Sequence, residues 1–246
     1  MHVVGYPKSG NTWLCFLLAY CLNAEYDDLD APGIHPTNDY QRRYVKGGLA
    51  HRSYQNQVGQ ILKTHRLNIQ QPGKKPLIYL IRDGRDVMVS YYFYHRTYIN
   101  TNSTQKYKNW LRKIRNWSKS NPAKDCQDFA VFLEKYTDEW VIHVTTWLNR
   151  QPTAVISYED LKTAPEATLN TLFQNLNVEV APETIQQALA IFNFKQLAKR
   201  REGEEDRSSF FRKGIVGDWQ NHFSAQDLQF FTEKTREILT QTGYEI

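Results

Sequence analysis

Lys8 and the polar residues around it are the first group in this 246-residue sequence whose types and spacing suggest chemistry. The segment Tyr6-Pro7-Lys8-Ser9-Gly10-Asn11-Thr12-Trp13 follows the run His2-Val3-Val4-Gly5 and leads into the apolar stretch Thr12 to Cys21. A strand, a loop carrying Gly5 and Gly10, and then a helix make an anion site. Backbone N–H groups converge there, and the helix N-terminus adds partial positive charge. Lys8 supplies a full charge, and Ser9 and Thr12 supply hydroxyl donors. The nucleotide-binding spacing G-x-x-x-x-G-K-[ST] is only half satisfied. Gly5 and Gly10 have its separation, but Lys8 precedes the second glycine and Asn11 stands where the lysine belongs. An ordinary ATP or GTP loop fails at its key residue. On the loop alone, a tight strand-to-helix turn with an exposed lysine is the competing reading.

Three further segments set charged or hydroxyl side chains beside apolar runs or glycines. They are Lys63-Thr64-His65, then Arg82-Asp83-Gly84-Arg85-Asp86-Val87-Met88-Val89-Ser90, then Arg212-Lys213-Gly214-Ile215-Val216-Gly217-Asp218-Trp219 with Asn221-His222-Phe223. In this order, with the Lys8 loop, they resemble the sulfotransferases that use 3′-phosphoadenosine 5′-phosphosulfate (PAPS), and the soluble, cytosolic-type group most closely. The Lys8 loop is similar to that family's donor-binding loop, Lys63-Thr64-His65 to its catalytic strand end, Arg82 to Ser90 to its 3′-phosphate segment, and the last to its C-terminal signature. The resemblance covers most of the chain.

The resemblance implies a role for each matching residue. Lys8 contacts the bridging oxygen between phosphate and sulfuryl group, where a cation stabilises the charge that develops as the S–O bond breaks. Ser9, Gly10, Asn11 and Thr12 hold the 5′-phosphate; many relatives carry Thr at the position of Asn11. His65 is the general base, a task that suits an imidazole near neutrality. Lys63 helps to neutralise the transferring group. Arg82 and Ser90 bind the 3′-phosphate, and Arg212, Lys213 and Gly214 close over it, with Gly214 allowing close backbone approach. Trp13 and Phe194 sandwich the adenine, Tyr158 meets its edge, and Asn193 stands where relatives carry Ser or Thr. Each has a plainer alternative: a surface ion pair with Asp83 or Asp86 for Arg82, an ordinary charged loop for Arg212 and Lys213, core packing for the aromatics. His222 reads as structural.

The elements that must position these groups alternate between strand and helix. Strands are expected over His2–Tyr6, Val58–Lys63, Leu77–Ile81 and Thr153–Ser157. Helices are expected over Thr12–Cys21, from an Asp83 cap to about Tyr94, and over Phe129–Lys135, Asp138–Leu148, Pro165–Leu176, Pro182–Ile191 and Ala225–Leu239, with a further helix near Tyr107–Trp117. Residues 23–56 show no clear period, Ser157-Tyr158-Glu159-Asp160 reads as a turn, and Arg200 to Asp206 as a mobile loop. The pattern predicts one α/β domain over 1–246: a central parallel sheet flanked by helices, with P-loop-like nucleotide-binding architecture and ligands beyond the carboxyl ends of the strands.

An apolar content of 41% suffices for such a core, and the net charge of +5 suits an anionic ligand without choosing one. The basic residues form no long run, which argues against nucleic acid. The start reads straight into strand and loop, and Trp13–Leu22 is too short to span a bilayer. Neither signal peptide nor membrane partner is expected. Cys15, Cys21 and Cys126 match no metal or disulfide spacing; Cys15 and Cys21 read as core, in a reduced cytoplasmic setting. PAPS is the expected co-substrate, without a metal. The acceptor expected is a small hydroxylated molecule, aromatic or apolar, with Tyr91, Tyr92, Phe93, Tyr94, Tyr98 and the tyrosines of 40–54 as candidate lining or as core. Phe223-Ser224-Ala225-Gln226-Asp227 lacks the Thr-Val pair of dimerising relatives, so no oligomeric state is assigned. The competing functions are a P-loop kinase using Asp83 for magnesium, a non-catalytic binder of adenosine 3′,5′-bisphosphate, and a basic RNA-binding protein.

Overall fold

The computed structural model describes residues 1–30, 59–69, 75–98 and 128–246. The strands are β1 (His2–Val4), β2 (Glu25–Asp28), β3 (Gln60–Thr64), β4 (Leu77–Ile81) and β5 (Ala154–Ser157). They form one parallel sheet in the order β2-β3-β1-β4-β5. Val4 lies beside Thr64 on one side and Tyr79 on the other. The carboxyl end of β1 therefore opens between His65 and the Ile81-Arg82 end of β4. The chain leaves β1 toward one edge and later returns on its other side, which makes this the switch point where parallel sheets bind ligands.

The helices are α1 (Asn11–Cys21), α2 (Gly84–Tyr98), α3 (Phe129–Asn149), α4 (Tyr158–Thr163), α5 (Pro165–Asn175), α6 (Pro182–Ile191), α7 (Phe194–Ala198) and α8 (Ala225–Gln241). Alternate strand residues serve two cores. Val3, Ile78 and Leu80 pack with Leu14, Phe16, Leu17 and Leu18 of α1 and with Leu172, Phe173 and Ile185 beyond it. Val4, Tyr79 and Ile81 pack with Val87 of α2, Phe132, Trp140 and Trp147 of α3, and Phe231 of α8. Each fully buried Leu or Phe contributes about 1.5–3 kcal/mol, so α1, buried along nearly its whole length, is firmly fixed behind the Lys8 loop. Cys15 and Cys21 are buried in the first core, as expected. None of the described helices is long and apolar enough to cross a membrane.

Four expectations need correction. β2 forms within the stretch that showed no period, because its sequence Glu-Tyr-Asp-Asp hides a strand behind carboxylates, of which Asp28 is buried. The two helices expected around Thr137 are one helix, α3. The stripe Phe132, Leu133, Tyr136, Thr137, Trp140, Val144 and Trp147 keeps helical spacing straight through the buried Thr137. The expected turn at Tyr158 is α4, capped by Ser157 Oγ on the Asp160 N–H. Arg200 to Asp206 is tied down: Gly203 N–H donates to the Lys213 carbonyl (3.0 Å) and Asp206 N–H to the Arg212 carbonyl (3.1 Å). The helix near Tyr107–Trp117 and Cys126 lie outside the described residues.

Gly84 opens α2 where a Cβ would lie 2.8 Å from ring carbons of Phe231 and Trp140, both fully buried. Gly84→Ala is expected to lower unfolding stability by about 1–3 kcal/mol through overpacking. A urea midpoint unchanged from the parent would contradict this packing.

Candidate active site

The loop after β1 turns because Lys8 and Gly10 adopt positive φ, 71° and 101°. At Gly10 a side chain would be strained by conformation and also by contact, since a Cβ would meet the Tyr158 ring at 2.6 Å. No side chain caps α1, so the N–H groups of Asn11 and Thr12 stand at the loop as donors, while that of Trp13 turns back to the Gly10 carbonyl (2.9 Å). Ser9 is buried beneath them, with Asn11 and Thr12. Lys8 Nζ donates to the Phe210 carbonyl (3.0 Å) and lies 4.0 Å from the Phe210 ring centre and 4.7 Å from that of Tyr94. Burial, reinforced by Arg82, Arg212 and Lys63, lowers the Lys8 ammonium to about 7.

His65 reaches the same loop from the end of β3. Its Nδ1 lies 2.7 Å from the Gly5 carbonyl oxygen. A carbonyl can only accept, so Nδ1 carries the proton and Nε2 keeps its lone pair. Asn11 Nδ2 donates to the same oxygen (3.0 Å) and sits 3.2 Å from His65 Nδ1. Gly5 thus receives two donors, and its own lack of a side chain matters, because a Cβ would lie 2.4 Å from Asn11 Oδ1. Burial and the neighbouring Lys63 ammonium hold the imidazole well below its ordinary range, outweighing Asp30, Asp28 and the Gly5 bond. His65 is therefore neutral near pH 7.

Asp28, the last residue of β2, and Asp30, just beyond it, fix this strand end. Lys63 Nζ is paired with Asp28 (2.5 Å), both buried. Asp30 accepts from the His65 N–H (2.6 Å), from Thr64 Oγ1 (3.2 Å) and from Arg66 (2.9 Å). Removing one partner of a buried ion pair typically costs about 3–5 kcal/mol, so Asp28 sets where Lys63 points.

Arg82 is buried beside the loop rather than in a surface pair. It donates to the Lys8 carbonyl (3.3 Å), the Ile215 carbonyl (3.1 Å) and Asp86 (3.4 Å), and stacks 4.2 Å from the Tyr158 ring centre. Asp86 also accepts the N–H groups of Gly217 (2.8 Å) and Trp219 (2.9 Å). It thereby docks the C-terminal signature on α2. Arg212 bonds Glu205 (2.6 Å) and Asp218, and Lys213 bonds Asp218 (2.7 Å). Burial raises Asp218, but its bonds to Lys213 and Arg212 prevail and hold it well below the usual carboxylate range. His222 also reaches Asp218 (3.2 Å), in keeping with a structural role. Ser90 lies half-buried on α2, two turns beyond Arg82.

The aromatic candidates line the other side. Trp13 donates through Nε1 to the Phe192 carbonyl (2.8 Å), and its ring meets Tyr158 nearly perpendicularly at 5.9 Å. Gly214 has φ 70°, and a Cβ there would lie 2.2 Å from Phe194. Asn193 caps α7: its Oδ1 accepts the Gln196 N–H (2.9 Å) and its Nδ2 donates to the Ala190 carbonyl (2.7 Å), which orients Phe194. Among the acceptor candidates, Tyr92 and Phe93 belong to the core, whereas Tyr91 lies edge-on to Tyr6 (5.7 Å) and Tyr94 flanks Lys8. Tyr98 closes α2, and the tyrosines of 40–54 lie outside the described residues.

Lys8, Lys63, His65, Arg82, Arg212, Lys213 and Gly214 thus gather at one end of the sheet. Sequence reasoning passed over Asp28 and Asp30, which hold Lys63 and His65. It named Asp86 only as a surface partner of Arg82, where the pair is buried, and Asp218 only as part of the Gly-Asp-Trp signature. The cation cluster, the uncapped head of α1 and the close approach at Gly214 fit a multiply charged nucleotide anion. Asp83 does not fit a magnesium ligand: both its oxygens are engaged by Arg85 (2.8–3.1 Å).

Comparisons with known proteins agree with this picture. A model of the sulfotransferase domain matches residues 1–243. Human sulfotransferase 2A1 (Homo sapiens) is 25% identical, over 99% of this chain and 85% of its own length. The guinea pig (Cavia porcellus) 3-alpha-hydroxysteroid sulfotransferase is 28% identical, over 98% and 83%. Among solved structures, mouse sulfotransferase SULT7A1 complexed with PAP superposes with a TM-score of 0.64 at 22% identity, over 96% of this chain and 84% of that one. Retinol dehydratase in a complex with retinol and PAP gives 0.57 at 18% identity, over 97% and 80%. At such identities the structural likeness speaks for the fold.

An anion in the cradle favours the charged form of Lys8, so binding should raise its pKa from about 7. At pH 8, where the free amine is mostly neutral, adenosine 3′,5′-bisphosphate should bind with a measurable fractional uptake of protons, and affinity should fall, by less than about tenfold, as pH rises above 7. Calorimetry in buffers of different ionisation enthalpy measures this. Lys8→Arg, always charged, should abolish the uptake; absence of uptake in the parent protein would contradict the assignment.

Proposed function

Because the chain belongs to the sulfotransferase domain family, we propose that it moves a sulfuryl group from PAPS to a hydroxyl of a small acceptor, with His65 as the general base. Family membership makes it a sulfotransferase. The base, the residue roles and the acceptor class are inferred from the site's geometry and from its relatives. The observation that carries the reading is the 2.7 Å bond from His65 Nδ1 to the Gly5 carbonyl. It presents a neutral imidazole at the mouth of the donor loop with Nε2 as its basic nitrogen.

The residues divide the work as follows. Ser9, Gly10, Asn11 and Thr12 hold the 5′-phosphate through the head of α1. Arg82, Ser90, Arg212, Lys213 and Gly214 hold the 3′-phosphate, and Trp13, Phe194 and Tyr158 enclose the adenine. His65 Nε2 takes the proton of the acceptor hydroxyl while the acceptor oxygen forms the new O–S bond. The bond from sulfur to the bridging oxygen breaks, and that oxygen leaves with the electron pair as part of adenosine 3′,5′-bisphosphate. Lys8 stabilises the charge it acquires. Lys63, fixed by Asp28, adds positive potential and keeps His65 unprotonated. No step requires a metal. The magnesium-dependent kinase alternative is disfavoured by Asn11 at the lysine position and by the Arg85–Asp83 pair. A mere binder of the bisphosphate would need neither Lys8 nor His65. The guinea pig relative is named for a hydroxysteroid; with Tyr91 beside Tyr6, a small aromatic or apolar alcohol or phenol suits this chain.

A transfer screen with labelled PAPS over phenols, alcohols, glycosides and amines tests the reading. Sulfation of hydroxyl acceptors is expected, reduced about 10²- to 10⁴-fold in His65→Ala. Because His65 is held below its ordinary range, the acid limb of kcat should lie below the ordinary imidazole value of about 6.5. Unchanged transfer by His65→Ala, or transfer only from ATP with magnesium, would overturn it.

A further inference from the structure

We propose that His143, on α3 and outside the donor site, is a positioning residue for His65; the inference rests on the reading of His65 as the base. His65 is held by its ring, its N–H and its carbonyl. The ring is fixed by Gly5 and the N–H by Asp30 (2.6 Å). The carbonyl lies 3.1 Å from His143 Nε2. A carbonyl oxygen only accepts, so His143 Nε2 carries the proton and its Nδ1 is an acceptor. That acceptor faces the Tyr79 hydroxyl at 3.0 Å, which donates to it. The chain of donation therefore runs from Tyr79 on β4 through His143 on α3 to the backbone of the base just past β3.

The surroundings make this arrangement rigid. His143 is fully buried and Tyr79 nearly so. Burial, helped by the nearby His65, keeps the His143 ring neutral, at about 3. The ring also packs edge-on against Tyr6 (5.5 Å) at the start of the donor loop, and tilted against Tyr79 (5.8 Å) and Trp147 (6.4 Å). One imidazole thus touches the base's backbone, the donor loop next to the Gly5 carbonyl that accepts the base's ring N–H, and the neighbouring strand β4. Its contribution is geometric. It keeps the short segment after Thr64 from drifting and so fixes where His65 Nε2 points. An apolar replacement would leave the His65 carbonyl without this donor, and a misplacement of about 1 Å in a catalytic group can cost 10²-fold in rate.

The test is a double-mutant cycle in kcat at saturating PAPS and acceptor, with bisphosphate affinity measured alongside. His143→Leu should lower kcat about 10- to 100-fold while bisphosphate affinity and donor KM stay within about twofold. His143→Gln, whose amide N–H can reach the same carbonyl, should recover most of the loss. Combined with His65→Ala, His143→Leu should have no further effect, because it acts through the base. Tyr79→Phe removes one hydroxyl at little cost in packing, serves if the leucine variant does not fold, and should lower kcat only when His65 is present. Equal losses with and without His65, or parental kcat in both His143→Leu and Tyr79→Phe, would overturn the inference. Parental turnover by His65→Ala alone would show instead that the base is misassigned, and the inference would fall with it.

Discussion

Lys63, Arg82 and Arg212 are buried together around the half-buried Lys8, and this gathering of like charges is the constraint on which the rest of the site depends. Cations withdrawn from water repel one another and must be held by something other than solvent. Each has its holder: Asp28 for Lys63, Asp86 for Arg82, Asp218 and Glu205 for Arg212, the Phe210 carbonyl and two aromatic faces for Lys8. The carboxylates come from different parts of the chain. The charge cluster therefore also stitches β2 to β3, and the C-terminal signature to α2.

The same charges set the protonation states that the chemistry needs. Lys8 is poised near neutrality, at about 7, where a bound anion would favour its charged form. His65 is kept neutral by burial and by Lys63, the state that the proposed role as base requires. The sheet order does the remaining work. With β1 between β3 and β4, the loop, the base and Arg82 all emerge at one crevice. Asn11 and His65 donate to a single oxygen, that of Gly5, and this bonds the loop after β1 to the end of β3. Asn11, at the usual lysine position, thus takes part in a contact that a lysine there would replace.

Much of this was legible in the sequence. The Lys8 loop, Lys63-Thr64-His65, Arg82 and Arg212 to Gly214 are local clusters in recognisable order, and the structure brings them to one end of the sheet. The carboxylates were not legible. Asp28 and Asp30 sit in a stretch whose acids conceal a strand, and their partners lie more than thirty residues away, beyond any periodic pattern. His143 drew no reading within the helix expected over Asp138–Leu148, because the contacts behind its proposed role arise only from the packing of α3 on the sheet. Asn193 showed a polar side chain, but only the start of α7 reveals it as a cap. Local chemistry could be read along the chain; the long-range pairs that aim it needed three dimensions.

The central claim is that Lys8 serves the breaking bond more than the binding of the nucleotide. Measuring Lys8→Ala for both kcat with PAPS and affinity for adenosine 3′,5′-bisphosphate tests it most directly. A loss in kcat of at least about 10²-fold is predicted, with most of the bisphosphate affinity retained through Arg82, Arg212 and the head of α1. Parental turnover, or a loss of bisphosphate affinity as large as the loss of rate, would contradict it.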